Sequence, residues 1–143
     1  GFLKRRPAKN QKNTKQLRPM EFESSEGFKI FVGRNNIMND KLTLKTAKNY
    51  DLWFHVKKGA GAHVVVQSEN GREFTDKLIR EAAMLAVQNS KAASSSNVAV
   101  DYTIIKNVKK PNGAKPGMVI YDNYKTEYVT PNFDELERIK RIV

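Results

Sequence analysis

The densest run of chemically useful side chains is Asp51-Leu52-Trp53-Phe54-His55-Val56-Lys57-Lys58, followed by a Gly/Ala turn and then His63. Side chains alternate along an extended strand, so Asp51, Trp53 and His55 share one face. That face offers a carboxylate, an indole and an imidazole next to two ammonium groups. An exposed indole stacks bases while neighbouring lysines hold phosphates. Asp51 can accept from a base amino group or a sugar hydroxyl. The same residues also suit a core tryptophan whose N–H is satisfied by Asp51 or by a carbonyl. Asp51 and His55 equally suit a structural hydrogen-bonded pair, and the sequence leaves both arrangements open.

His55 and His63 are the only histidines. Facing each other across a hairpin, with Asp51 nearby, they would make a two-histidine, one-carboxylate metal set. No repeated ligand spacing supports that set, so neither metal nor cofactor is expected. The Gly59-Ala60-Gly61 turn between them more naturally lets backbone approach a phosphate. A second candidate is the loop holding Lys106, Lys109, Lys110 and Lys115 without an acid. Its two prolines and two glycines shape it as a phosphate clamp. Nothing reads as a catalytic set. Gly33-Arg34-Asn35-Asn36 lacks the glycine spacing and the Lys-Ser/Thr end of a nucleotide loop. The absence of cysteine removes thiolate chemistry and disulfides.

Charge points the same way. The chain has 143 residues, with 26 Lys and Arg against 15 Asp and Glu, a net +11. That balance favours a polyanionic partner, nucleic acid before an anionic membrane surface. Residues 1–19 hold seven of the basic groups and no acid. Their polarity predicts a flexible basic arm or linker. No apolar run approaches the length of a membrane span, and no export signal opens the chain, so cytoplasm is the expected compartment.

These residues need elements to position them. Alternation predicts strands over 28–32, 51–56 and 63–67, the last two forming a hairpin. Asn39 or Asp40 is expected to cap a short helix reaching Ala47. Thr75 is expected to cap a long helix over 76–91, whose Leu78, Ile79, Ala82, Ala83, Ala86 and Val87 make one stripe. A strand over 98–106, a hairpin of 118–121 with 126–129 and a short terminal helix complete the chain. The expected fold is α+β: a mostly antiparallel sheet of about five to six strands, one long helix on one face, and the other face or an edge free for a partner. The expected organisation is an arm over 1–19, a domain over 20–132 and a terminal helical segment over 133–143.

Several motifs in order resemble the NFACT-R domain family. They are Phe28 to Asn36, Asn39-Asp40-Lys41-Leu42-Thr43, Asp51-Leu52-Trp53-Phe54-His55 and Gly61-Ala62-His63-Val64-Val65. Val100-Asp101-Tyr102-Thr103, Val108 to Gly117 and Val129-Thr130-Pro131 continue the match, which covers about residues 20–132. The resemblance implies the C-terminal RNA-binding domain of bacterial fibronectin/fibrinogen-binding-protein-like chains. It further implies a non-enzymatic module of a ribosome quality-control protein. Such proteins recognise stalled large subunits holding peptidyl-tRNA and recruit tRNA for C-terminal alanine tailing. The implied partners are tRNA, large-subunit RNA and upstream domains of the same protein. Fibronectin binding at the cell surface is the alternative. The nucleic-acid-binding residues expected are Asn35, Asn36, Lys41, Asp51, Trp53, His55, Lys57, Lys58, His63, Lys106, Lys109, Lys110 and Lys115. The family commonly has an acid, a proline and a serine where this chain has Lys58, Ala60 and Ala62. The turn is therefore more basic and looser.

Overall fold

Strand alternation sorts this chain onto the two faces of one twisted sheet. The computed structural model describes residues 18–143, so the basic arm expected over 1–19 lies outside them except for Arg18 and Pro19. In chain order the elements are β1 (Met20–Glu23), β2 (Lys29–Val32), α1 (Asn36–Lys41), a π-helical turn (Leu42–Thr46), β3 (Leu52–Val56) and β4 (Val64–Val66). Then come α2 (Asp76–Gln88), β5 (Val98–Ile104), a 3-10 turn (Ile105–Asn107), β6 (Val108–Lys109) and β7 (Ile120–Tyr121). The last are β8 (Lys125–Val129), α3 (Phe133–Glu137) and β9 (Lys140–Arg141).

The seven-stranded sheet has the order β8-β5-β3-β4-β2-β1-β9, and β6 pairs with β7 in a separate two-stranded ribbon. Every pairing is antiparallel. The α+β class and the β3–β4 hairpin are as expected. The strand count is higher because short strands at the ends, β1 and β9, extend the sheet past β2. Two or four residues give too little periodicity to read as strands. The terminal segment therefore holds a strand as well as a helix.

Two boundaries move. Asn35, not Asn39 or Asp40, caps α1: its side chain accepts the Met38 N–H at 2.8 Å. The 118–121 and 126–129 strands do not pair with each other. Ile120 and Tyr121 join Val108 and Lys109, while Lys125–Val129 joins β5. Asn123, at φ 48°, stands where the chain changes sheets. That left-handed conformation suits asparagine better than most residues.

The long helix behaves as its stripe demands. Thr75 accepts the Leu78 N–H at 3.1 Å and Asp76 sits in the first turn, where a carboxylate meets the positive end of the helix. Ala82, Ala83 and Ala86 are fully buried, so the helix backbone lies close to the sheet. Leu78, Met84 and Val87 pack with Phe28, Ile30, Phe54, Val64 and Val100 in the main core.

The opposite face is not free, which corrects the expectation of an open sheet surface. Trp53 and Val65 are directly paired across β3 and β4. They point away from the main core, as alternation requires. Leaving an indole and a valine in water is unfavourable, and Leu42, Ile105 and Val108 cover them in a second cluster. The π-helical turn and the β6–β7 ribbon thus form a second layer, and the site lies along the rim of that layer.

Candidate nucleic-acid interface

The loop from Lys110 to Val119 is held in place by Asp40 and His63, which both bond Gly117, and by Lys110. The Gly117 N–H donates to Asp40 Oδ1 at 2.9 Å. Asp40 Oδ2 accepts from Lys110 Nζ at 2.9 Å, and the same ammonium donates to the Lys115 carbonyl at 2.8 Å. Burial opposes ionisation of Asp40, but the Lys110 ammonium and the Gly117 N–H outweigh it and hold the carboxyl below its ordinary value. On the other side His63 Nε2 lies 3.0 Å from the Gly117 carbonyl. A carbonyl only accepts, so Nε2 bears the proton. Nδ1 then accepts from the Thr43 hydroxyl, 2.7 Å away. In the neutral ring the proton is therefore on Nε2. Burial, and then the neighbouring His55, push the His63 pKa down to about 4.

Gly117 itself sits at φ 85°, and a Cβ there would fall 2.8 Å from Asn36 Oδ1. Gly33 shows the same economy of space: a Cβ would meet Asn39 Oδ1 at 2.0 Å. That oxygen accepts the His63 backbone N–H at 3.1 Å. The glycines let α1, β4 and the 110–119 loop close on one another.

The space left between this loop and the 57–61 turn is a cleft of about 490 Å³. His55, Lys57, Lys115, Met118 and Tyr121 line it, with Trp53 and His63 in the wall. A second hollow of about 510 Å³ lies along Arg34, Asn35, Asn36, Asn89, Ser90 and Lys91. The two share Asn36, Ala60 and Gly61. Asn36 and the turn thus stand between two hollows, each with two basic side chains in its lining. The tip of that turn uses Gly59 at φ 91°, and Gly61 approaches Ser90 so closely that a Cβ would lie 2.9 Å from it.

Asp101 organises one rim. It is almost fully buried and accepts from Tyr121 at 2.6 Å and Thr126 at 2.7 Å. It also pairs with Lys57 at 3.1 Å. Burial, with the bond to Asp101, pushes the Tyr121 phenol up, so it stays protonated and donating. The bond to Asp101 raises the Lys57 ammonium, which also lies 4.8 Å over the Tyr124 ring.

The residues singled out from the sequence divide into three groups. Asn36, His55, Lys57 and Lys115 line the cleft; Asn35 lines the neighbouring hollow while its side chain caps α1. A second group is structural, which corrects their expected role as contacts. The Trp53 indole is fully buried, so it is no exposed stacking platform. Asp51 is buried and accepts from the Lys48 N–H, the Ser68 N–H and the Ser68 hydroxyl. It neither satisfies the indole nor pairs with His55. His63 and Lys110 pin the loop. The third group is exposed but lines neither hollow: Lys41, Lys58, Lys106 and Lys109. Lys106 lies 5.7 Å over Tyr50, and Lys109 borders a separate shallow groove with Ile120 and Asp122. The Lys106–Lys115 loop is therefore not one clamp, because its four ammonium groups face different surroundings. Nor does Asp51 join the histidines. Their rings are 5.5 Å apart, but among the described residues no three His, Asp or Glu side chains group as a metal would need.

Sequence reading missed Arg34, Lys91, Asp101 and Tyr121 as site residues. Asp101 had a signal: a lone acid inside a β-branched strand must find buried partners or unfold it. Arg34 and Lys91 had none, because only the fold brings them beside the turn.

The family model described as the NFACT protein RNA binding domain matches residues 18–123. The chain belongs to that family. It is 45% identical over 142 residues to the Rqc2 homolog RqcH of Bacillus subtilis, covering 98% of this chain and 24% of that protein. It is 30% identical over 117 residues to the coiled-coil domain-containing protein 25 homolog of Dictyostelium discoideum, covering 78% of this chain and 56% of that one. The solved C-terminal part of the fibronectin/fibrinogen-binding protein from Streptococcus suis superposes with a TM-score of 0.79 at 41% identity. That match covers 86% of this chain and 49% of the solved one. The chain thus spans about a quarter of the bacterial relative it matches. The family description makes it an RNA-binding domain. Among the described residues no helix is long and apolar enough to cross a membrane.

Proposed function

We propose that this domain is the RNA-facing module of a larger cytoplasmic ribosome quality-control protein. It serves recognition of stalled large subunits holding peptidyl-tRNA, and it recruits tRNA for C-terminal alanine tailing. The domain itself acts by binding and does no chemistry. The observation behind this reading is the pair of hollows meeting at Asn36 and the 59–61 turn, with Arg34 and Lys91 lining one and Lys57 and Lys115 the other. A phosphodiester backbone passing over the turn meets cations on both sides. A glycine turn lets it approach main-chain N–H groups.

The test is binding of labelled tRNA and of large ribosomal subunits by the whole 143-residue chain and by Lys91→Glu with Lys115→Glu. The double variant is expected to lose at least tenfold in affinity, and Lys106→Glu with Lys109→Glu far less. Equal losses from both pairs would remove the turn as the interface. The likeness to the fibronectin/fibrinogen-binding protein of Streptococcus suis motivates a parallel titration with fibronectin. Saturable fibronectin binding without RNA binding would favour adhesion instead.

A further inference from the structure

We propose that the cleft between the 57–61 turn and the Gly117 loop is a subsite for one unpaired nucleotide, its base inside and its phosphate at Lys57 and Lys115. The inference rests on the RNA-binding reading and adds to it that the domain grips single-stranded RNA in preference to duplex.

Three observations carry it. The first is shape. At about 490 Å³ the cleft falls within the range of pockets that enclose small organic ligands. The second is the nature of the walls. His55 is only half-buried and its ring lies parallel to the Trp53 indole, at 6° and 5.9 Å between centroids. Tyr121 meets the same indole at 4.8 Å. Met118 is 59% exposed at the cleft and offers a flexible apolar cover, as methionine does at adaptable binding surfaces. A duplex-binding surface needs no such apolar, aromatic recess. Unstacked bases do, because they bury their faces against rings.

The third is the arrangement of charge at the rim. The buried carboxylate nearby cannot compete for the ligand, since Asp101 already accepts from Tyr121, Thr126 and Lys57. That engagement holds the Lys57 ammonium at the cleft's rim, where a phosphate would sit. Burial keeps His55 on the neutral side of its ordinary range, leaving it without a charge that a base would have to desolvate.

The experiment compares a labelled single-stranded RNA with a blunt RNA duplex of equal phosphate number, by anisotropy, on the whole chain. The single strand is expected to bind about tenfold more tightly. His55→Ala and, as an exposed position that leaves the core intact, Met118→Ala are expected to reduce that preference at least threefold. The fluorescence of the single tryptophan should change on titration with nucleoside monophosphates and not with ribose 5-phosphate. Equal affinity for the two RNAs, or a preference untouched by both variants, overturns the subsite. If Lys91→Glu still weakens both RNAs in that case, the broader RNA interface stands. If neither RNA binds, both readings are overturned.

Discussion

The Tyr121 hydroxyl donates to the buried Asp101 carboxylate at 2.6 Å, joining the two-stranded ribbon to β5, the strand beside the edge strand β8 of the main sheet. Lys57 pairs with the same carboxylate from the neighbouring strand. One acid thus sets the position of a cleft wall and of a rim cation. Asp101→Asn keeps the shape and removes the charge. We expect a loss of about 2–3 kcal/mol in urea unfolding, in the range of hydrogen bonds to charged groups. RNA affinity should also fall, because Lys57 is released. Unchanged stability with unchanged affinity would show that the network does not organise the cleft.

Gly117→Ala should cost about 1–2 kcal/mol from its left-handed backbone alone, with a further penalty from contact with Asn36. Adding Asn36→Ala should recover the second part and leave the first. Thermal unfolding of the single and double variants separates them. A double variant no more stable than the single one would mean that the side-chain clash is relieved in some other way.

Lys110 and Lys109 are adjacent and should behave differently. Lys110 is tied to Asp40 and to the Lys115 carbonyl, so Lys110→Met should destabilise by about 1 kcal/mol. Lys109 is exposed, and Lys109→Met should stay within about 0.5 kcal/mol. Equal effects in chemical denaturation would contradict the role of Lys110 in pinning the loop.

His63 gives the fold a pH dependence. Its folded pKa, about 4, lies below the ordinary 6.5, so the unfolded chain binds the proton more readily. Stability is therefore full above about pH 6.5 and declines as the pH falls towards 4. Between pH 7.5 and 5 the loss should be about 2 kcal/mol. His55, also lowered, adds in the same direction. His63→Gln should flatten this part of the curve, measured by urea midpoints at the two pH values. A variant as pH-sensitive as the parent would refute the neutral tautomer.

Salt should report which cations meet phosphate. Lys91→Gln and Lys115→Gln should each lower the slope of log affinity against log salt by about 1. Lys106→Gln and Lys109→Gln should leave it unchanged. A slope that drops equally for all four would mean diffuse attraction by net charge.

The sequence by itself determined the class of fold, the β3–β4 hairpin and the stripe of α2, because apolar periodicity is a local property that burial enforces. Its ordered motifs also indicated the family, and its charge indicated an anionic partner. It placed Trp53, His55 and His63 near one turn, but it could not say which would be sealed. That depended on the layer formed by Leu42, Ile105 and Val108, which comes from segments distant in the chain. The sequence could not separate Lys110 from Lys109 either, since only the approach of Asp40 distinguishes them. Tertiary structure alone decided that several motif residues are fasteners rather than contacts. The physical reason is that an ionised or polar side chain takes its role from the partner that satisfies it, and those partners arrive only when the layers close.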